Sequence, residues 1–224
     1  MRRILPEGLW KGSTAFLLGG GPSLRDVDLA RIRTRRIIAI NNAYGDPVRP
    51  APSRDVRGAF HCRYSPRDWV DIVWFGDARW FSWHRKDLRR FQGLAATCSP
   101  LLVDVRGIFR YDFGKLSGIC TEPGKVAWNR NSGGSAINLA YHLGVRRVVL
   151  LGFDMRRVDG EPNWHKDHPA ADKNPYDVYL KHFNAIARDA EALGLEIINC
   201  TPGSAIGHFP IMSLDEFLES EERK

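Results

Sequence analysis

Two stretches of this chain carry a helix straight into a strand through a single glycine. Ala136, Leu139, Ala140 and Leu143 recur at helical spacing, Gly144 follows, and the chain enters the largely apolar run from Val145 to Leu151. Phe183, Ile186, Ala187, Ala190 and Leu193 repeat the pattern, with Gly194 as the stop and Leu195 to Ile198 as the strand. Residues three and four apart share one helix face, and glycine closes the last turn at no steric cost. A short strand that is apolar on both faces needs cover on both sides. Helices alternating with such strands predict an α/β fold: a mostly parallel sheet with helices on both faces. Further strand-like runs are Ala15 to Leu18, Arg36 to Ile40, Ile72 to Phe75 and Leu101 to Val105. With 224 residues, 43% of them hydrophobic, the chain can bury one sizeable core. The expected organisation is one domain over 1–224. An irregular insertion is expected at about 46–68, where Pro47, Pro50, Pro52 and Pro66 fall, and an active-site loop at about 155–178.

The first strand ends in Gly19, Gly20, Gly21, Pro22 and Ser23. Glycines admit a ligand close to the backbone. Pro22 suits a first helical turn, where unpaired N–H groups favour an anion. The turn lacks the sixth-place glycine of the dinucleotide fingerprint, since Leu24 stands there. Neither Gly114-Lys115 nor Gly124-Lys125 continues into Ser or Thr, which removes the P-loop. Ligands of open parallel sheets bind beyond the carboxyl ends of the strands. Asn41 and Asn42, Gly76 and Asp77, Gly152 to Asp154, and Thr201 to Ser204 also follow strand-like runs. Small and polar groups are therefore expected to converge on one rim.

A second donor-rich turn, Asn131-Ser132-Gly133-Gly134-Ser135, precedes the helix expected from about Ala136, with Arg130 beside it as a candidate phosphate partner. Ser132 also reads as a plain helix cap. After Asp154 comes Asn163-Trp164-His165-Lys166-Asp167-His168-Pro169. Histidine titrates near neutrality and can accept a hydroxyl proton. Two histidines three apart also fit metal ligation, with Asp154 or Asp167 as a further ligand. Asp154 itself reads as a ribose or metal contact, or as a cap for the following loop.

The motif Gly19-Gly20-Gly21-Pro22-Ser23-Leu24 resembles the nucleotide turn of bacterial sialyltransferases of the Campylobacter type. It is similar, too, to that of motility-associated flagellin glycosyltransferases and archaeal-type 6-hydroxymethylpterin pyrophosphokinases. Arg130-Asn131-Ser132-Gly133-Gly134, leading through a helix to Leu151-Gly152-Phe153-Asp154, resembles a second block of the group. Asn199-Cys200-Thr201-Pro202-Gly203-Ser204 resembles the last. The Trp-His-x-Asp-His-Pro phrase is most similar to uncharacterised bacteriophage members. The resemblance implies a Rossmann-like fold and a nucleotide-activated sugar as donor, used without a metal. It implies nucleotide contacts at Gly20, Gly21, Ser23, Asn41, Ser132, Gly133, Gly134 and Asp154, and the turns and strand ends add Gly19, Pro22, Asn42, Asp77, Arg130 and Met155 to the expected nucleotide site. It implies a general base at His168, with His165 behind it and Asp154 close by.

The formal net charge is +7. Trp69, Trp74, Trp80 and Trp83 surround Asp77 in sequence, accompanied by Arg79, Arg85, Lys86, Arg89 and Arg90. Rings among cations suit nucleobases, and the same pattern fits a core aromatic cluster beside a solvated basic helix. A basic face would admit DNA as acceptor, with a modified bacteriophage base as the target. Four scattered cysteines form no Cys-x-x-Cys pair, so free thiols are expected. No apolar run spans a bilayer and no signal-peptide core follows the N-terminal charges. The expected location is the cytoplasm, the host's if the gene is phage-borne, with no membrane partner. The expected activity is sugar transfer to a hydroxyl. A magnesium-dependent pyrophosphokinase or other ATP-using transferase is the first alternative, and a non-catalytic nucleotide- or nucleic-acid-binding protein the second.

Overall fold

The computed structural model describes residues 4–48, 53–54, 60–61, 63–166 and 174–223. Its centre is a seven-stranded sheet. The strands are β1 (Thr14–Leu18), β2 (Arg36–Ile40), β3 (Ile72–Phe75), β4 (Leu94–Thr97), β5 (Ile108–Arg110), β6 (Arg147–Leu151) and β7 (Glu196–Asn199). Their spatial order is β7-β6-β1-β2-β3-β4-β5, and every neighbouring pair is parallel. The chain winds outward from β1 to β5, then returns to β6 on the other side of β1. The strand order therefore reverses between β1 and β6.

Side chains of successive strand residues point to opposite faces. Ala15, Leu17, Ile38, Ile40, Ile72, Trp74, Val148 and Leu150 form one core with α2 (Ser132–His142) and α3 (Tyr176–Leu193). Phe16, Leu18, Ile37, Ala39, Val73, Phe75, Val149 and Leu151 form the other with α1 (Ala78–Leu88) and α4 (Leu214–Glu222). Of the helix residues chosen by periodicity, Ala136, Leu139, Ala140, Leu143, Phe183 and Ile186 are fully buried and Ala190 nearly so, Ala187 is half-buried, and Leu193, at the helix end, is exposed. Gly144 and Gly194 follow their helices with φ of 77° and 67°, the left-handed turn that glycine adopts freely.

Three expectations change. Leu101 to Val105 is not a strand but a turn-rich segment in which Leu101 is 79% exposed. Pro100 removes a ladder donor just before it. The strands there are β4, whose Ala95 and Ala96 carry little β-signal, and the three-residue β5. The helix expected from Ala136 begins a turn earlier, at Ser132. The segment read as an irregular insertion contains short antiparallel ladders pairing Gly45–Pro47 with Tyr64–Pro66, and Ser53–Arg54 with Phe60–His61.

Candidate functional site

The carboxyl ends of β1, β2, β3 and β6 open onto a cavity of about 390 Å³. Gly19, Gly20 and Gly21 line it after β1, Asn41 and Asn42 after β2, Gly76 and Asp77 after β3, and Met155 beyond β6. Arg130, Ser132 and Gly133 line the wall at the start of α2, and His165 reaches in from the loop after β6. The fold brings together residues up to 160 positions apart in sequence, from Gly19 to Tyr179. Pro22, Ser23, Gly134 and Asp154 do not line it. His168 and Asp167 lie outside the described residues.

Two amides of the glycine turn are bonded within the fold. Gly19 N–H donates to the Leu151 carbonyl at 2.7 Å and Gly21 N–H to the Gly152 carbonyl at 2.8 Å. A Cβ on Gly19 would strike the Gly152 carbonyl, and one on Gly21 the Asp154 carboxylate. These two glycines let β1 and β6 emerge side by side. Gly20 differs, because a Cβ there would meet only Asn163 Oδ1, at 3.7 Å.

Asp154 is 2% exposed and accepts from Ser23 Oγ at 2.8 Å and from Ser23 N–H at 3.4 Å. Burial raises its pKa, and the two Ser23 bonds partly oppose the rise. Its place is behind the turn, tying the Ser23 end to β6. The Thr201 to Ser204 turn does not line the cavity either. Thr201 Oγ1 accepts from Phe153 N–H at 3.0 Å and Ser204 Oγ donates to the Phe153 carbonyl at 2.6 Å, which ties the segment just beyond β6 to that turn.

The start of α2 faces the cavity directly. Asn131 caps it, its Oδ1 accepting from Gly134 N–H at 2.6 Å, so the cap is Asn131 rather than Ser132. First-turn amides have no partner inside a helix, and Ser132 and Gly133 of that turn both line the cavity. Gly133 and Gly134 are small for packing reasons: a Cβ would press on Phe153 and on Asn129 respectively. Arg130 projects beside them with its Cζ 5.3 Å from the Trp128 ring centre. Three cavity residues hold left-handed backbones without being glycine, namely Asn41 (φ 52°), Arg130 (φ 51°) and Met155 (φ 49°). Such strain persists where the surroundings enforce it, and it gathers at functional sites. For Arg130 the enforcing neighbour is Asn129, whose buried amide is bonded to both backbone groups of Gly118, at 2.8 and 3.0 Å.

On the opposite wall, Asn42 accepts from Trp80 Nε1 at 2.6 Å and donates to Tyr64 Oη at 2.7 Å. Its Nδ2 lies 3.5 Å from His165 Nδ1. The loop carrying His165 is held from several sides. Arg25 donates to the carbonyls of Trp164 and Asn163 at 2.6 and 2.8 Å. Trp164 N–H donates to the Gly20 carbonyl at 3.1 Å, and Arg67 lies 5.7 Å from the Trp164 ring centre. Asp77 caps α1 by accepting from Arg79 N–H at 2.8 Å.

The tryptophans divide. Trp74 is fully buried in the core and Trp80 is 4% exposed, so these two are core aromatics, with Trp80 also forming cavity wall. Cys98 lines the cavity as well, and burial pushes its pKa up to about 12, which keeps it a thiol. Sequence reasoning missed Asn163, Tyr176 and Tyr179, all cavity residues. The only local signal was two tyrosines one turn apart at a helix start after Pro175. Among the described residues, no three His, Cys, Asp or Glu side chains converge as a metal site. No helix there is long and apolar enough to cross a membrane.

No family model matches this chain, and neither does any curated protein sequence. Its fold is similar to that of the sialyltransferase CstII from Campylobacter jejuni, solved in complex with the substrate analogue CMP-3FNeuAc. The TM-score is 0.50 and the identity 11%, over 90% of this chain and 86% of that one. This is a Rossmann-like α/β fold shared with a glycosyltransferase.

Proposed function

We propose that this protein transfers a sugar from a nucleotide-activated donor to a hydroxyl acceptor, working as one domain around the cavity at the β1–β6 switch point. The observation that carries the reading is the convergence of the first turn of α2 at Ser132 and Gly133, Arg130 and the His165 loop on one cavity. Helix N-terminal amides and a guanidinium stabilise a departing phosphate as its charge develops. Gly20 gives the donor close approach to the backbone, while Asn41 and Asn42 supply amide groups for its polar edges. His168, three residues after His165 in the sequence, takes the proton of the attacking hydroxyl. The similarity of fold to CstII, a sialyltransferase solved with a CMP-sugar analogue, supports a nucleotide-sugar donor.

A thermal-shift screen with CMP, UDP, GDP and ATP, each with and without magnesium, tests the reading. Stabilisation by a pyrimidine or guanine nucleotide that survives a chelator is expected. A response to ATP that strictly requires magnesium would move the protein to the pyrophosphokinase class. His168→Ala should abolish transfer, by 100-fold or more on the general-base scale of roughly 10²–10⁴, and leave nucleotide binding intact. Near-normal turnover in that variant would remove the base assignment.

A further inference from the structure

We propose that Arg130 and His182 form one oxyanion subsite at the edge of the cavity, taking a phosphate or carboxylate group of the ligand. The proposal rests on the sugar-transfer reading only for which substrate carries that group.

The two side chains come from different segments, and Asn129 brings them together. Asn129 N–H donates to the Leu116 carbonyl at 2.9 Å, and its side-chain amide bonds both backbone groups of Gly118. Ser117, between those two anchored residues, has its Oγ 2.9 Å from Nδ1 of His182 on α3. Arg130 is the next residue after Asn129, and the two hold left-handed backbones at φ 51° and 52°. His182 stands one turn beyond the cavity residue Tyr179 on the same helix face. Arg130 lines the cavity and lies over the exposed Trp128 ring. A ring against its face leaves the in-plane N–H donors of a guanidinium open.

Neither cation is answered by an acid. Among the described residues the Arg130 guanidinium has no ion pair and no hydrogen-bond partner, and His182 has none at Nε2. Asp189, which faces the same 115–119 segment from α3, is taken up by Lys115 Nζ at 2.6 Å and Ile119 N–H at 2.7 Å. Burial and the Arg130 charge hold the His182 pKa below its ordinary value. As packing alone, the pair is a repulsion that no acid relieves. An oxyanion reverses the sign. It attracts both groups, draws a proton onto His182, and meets the Arg130 fork. With Nδ1–H donating to Ser117 Oγ, the charged ring keeps Nε2–H for the ligand.

Sulfate, an oxyanion that does not titrate near neutrality, is the probe, with chloride holding ionic strength constant. The His182 ring is followed by 1H–13C correlation from about pH 5 to 8.5, the span of imidazole titration. Its signal is the one missing in His182→Gln. In wild type the His182 midpoint should rise with sulfate. Sulfate affinity should then fall roughly 3-fold or more from the acid to the alkaline end, since one unit of midpoint is tenfold in affinity. His182→Gln should lose that pH dependence. Arg130→Asn removes the charge and suits the left-handed backbone, so the fold is kept. Its His182 midpoint should stand above wild type without sulfate and respond to sulfate less. Thermal melting confirms that each variant is folded. A wild-type midpoint indifferent to sulfate would overturn the proposal. So would an Arg130→Asn midpoint equal to wild type. CMP and glucuronate distinguish the sources. A His182 response to CMP assigns the subsite to the donor phosphate, and one to glucuronate alone assigns it to an acidic acceptor. A response to sulfate and to neither of these supports the site and counts against sugar transfer. A failed nucleotide screen leaves the sulfate measurement standing.

Discussion

At the residue scale, the three glycines after β1 look alike in sequence and do different work. Gly21 lies against the Asp154 carboxylate and the Gly152 carbonyl, so a methyl group there has to displace backbone. Gly21→Ala is expected to destabilise the fold by about 2–3 kcal/mol, as overpacking does. Gly20→Ala meets only ordinary contact and should stay within about 0.5 kcal/mol of wild type. Urea denaturation of both variants checks the contrast, and equal effects would refute it. In the sugar-transfer reading Gly20→Ala also weakens nucleotide binding, since its methyl group enters the cavity. Asp154 offers a second residue-level test. Asp154→Ala leaves Ser23 N–H and Oγ without their buried acceptor, which costs about 2 kcal/mol. Asp154→Asn keeps an acceptor oxygen and removes the buried charge that raises the pKa. Asparagine should therefore be much the milder change by the same measurement. The glycine run was legible as a turn. Which glycine touches what was not, because Asp154 and Gly152 reach it from more than 130 residues away.

At the element scale, α2 and the His165 loop form the two walls of the site. Asn131→Ala removes the α2 cap and should lower stability by about 1 kcal/mol in chemical denaturation. The loop is pinned by Arg25, whose fork grips two successive carbonyls. Arg25→Ala is expected to leave global stability nearly unchanged and to free the loop locally. Hydrogen exchange at the Trp164 amide, bonded to the Gly20 carbonyl, should then quicken by roughly 10-fold or more. Unchanged protection would mean that Arg25 does not hold the loop. Helices α2 and α3 were readable because their apolar stripes are long and end in glycine. The β4–β5 region was misread because β5 is short and β4 is half alanine. Their strand character comes from pairing with β3 and with each other, which no local pattern records.

At the scale of the whole molecule, acid sensitivity follows from one buried imidazole. His84 is fully buried beneath Trp80, with its Nδ1 3.1 Å from Tyr44 Oη. Burial, reinforced by His165, lowers its pKa from 6.5 to about 3. Between those values the unfolded chain binds the proton and the native fold does not, so stability is full above pH 6.5 and falls as pH drops toward 3. The loss is on the order of 4 kcal/mol. Denaturation midpoints at pH 7.5 and pH 4 should show it, and His84→Gln should flatten the difference even if it is less stable at neutrality. An undiminished slope in that variant would place the acid sensitivity elsewhere. The sequence by itself determined the layered α/β architecture, the two capped helices and the glycine turn, because these depend on local spacing and backbone preference. It also marked most of the cavity rim, since strand ends in a parallel sheet share one edge. Only the tertiary structure decided that Asp154 supports the turn from behind, that the Thr201 to Ser204 turn braces β6, and that Asn42, Trp80, Tyr64 and His165 form one bonded set. Those facts depend on which strands are neighbours, and the order β6-β1-β2 is fixed by packing across the whole sheet.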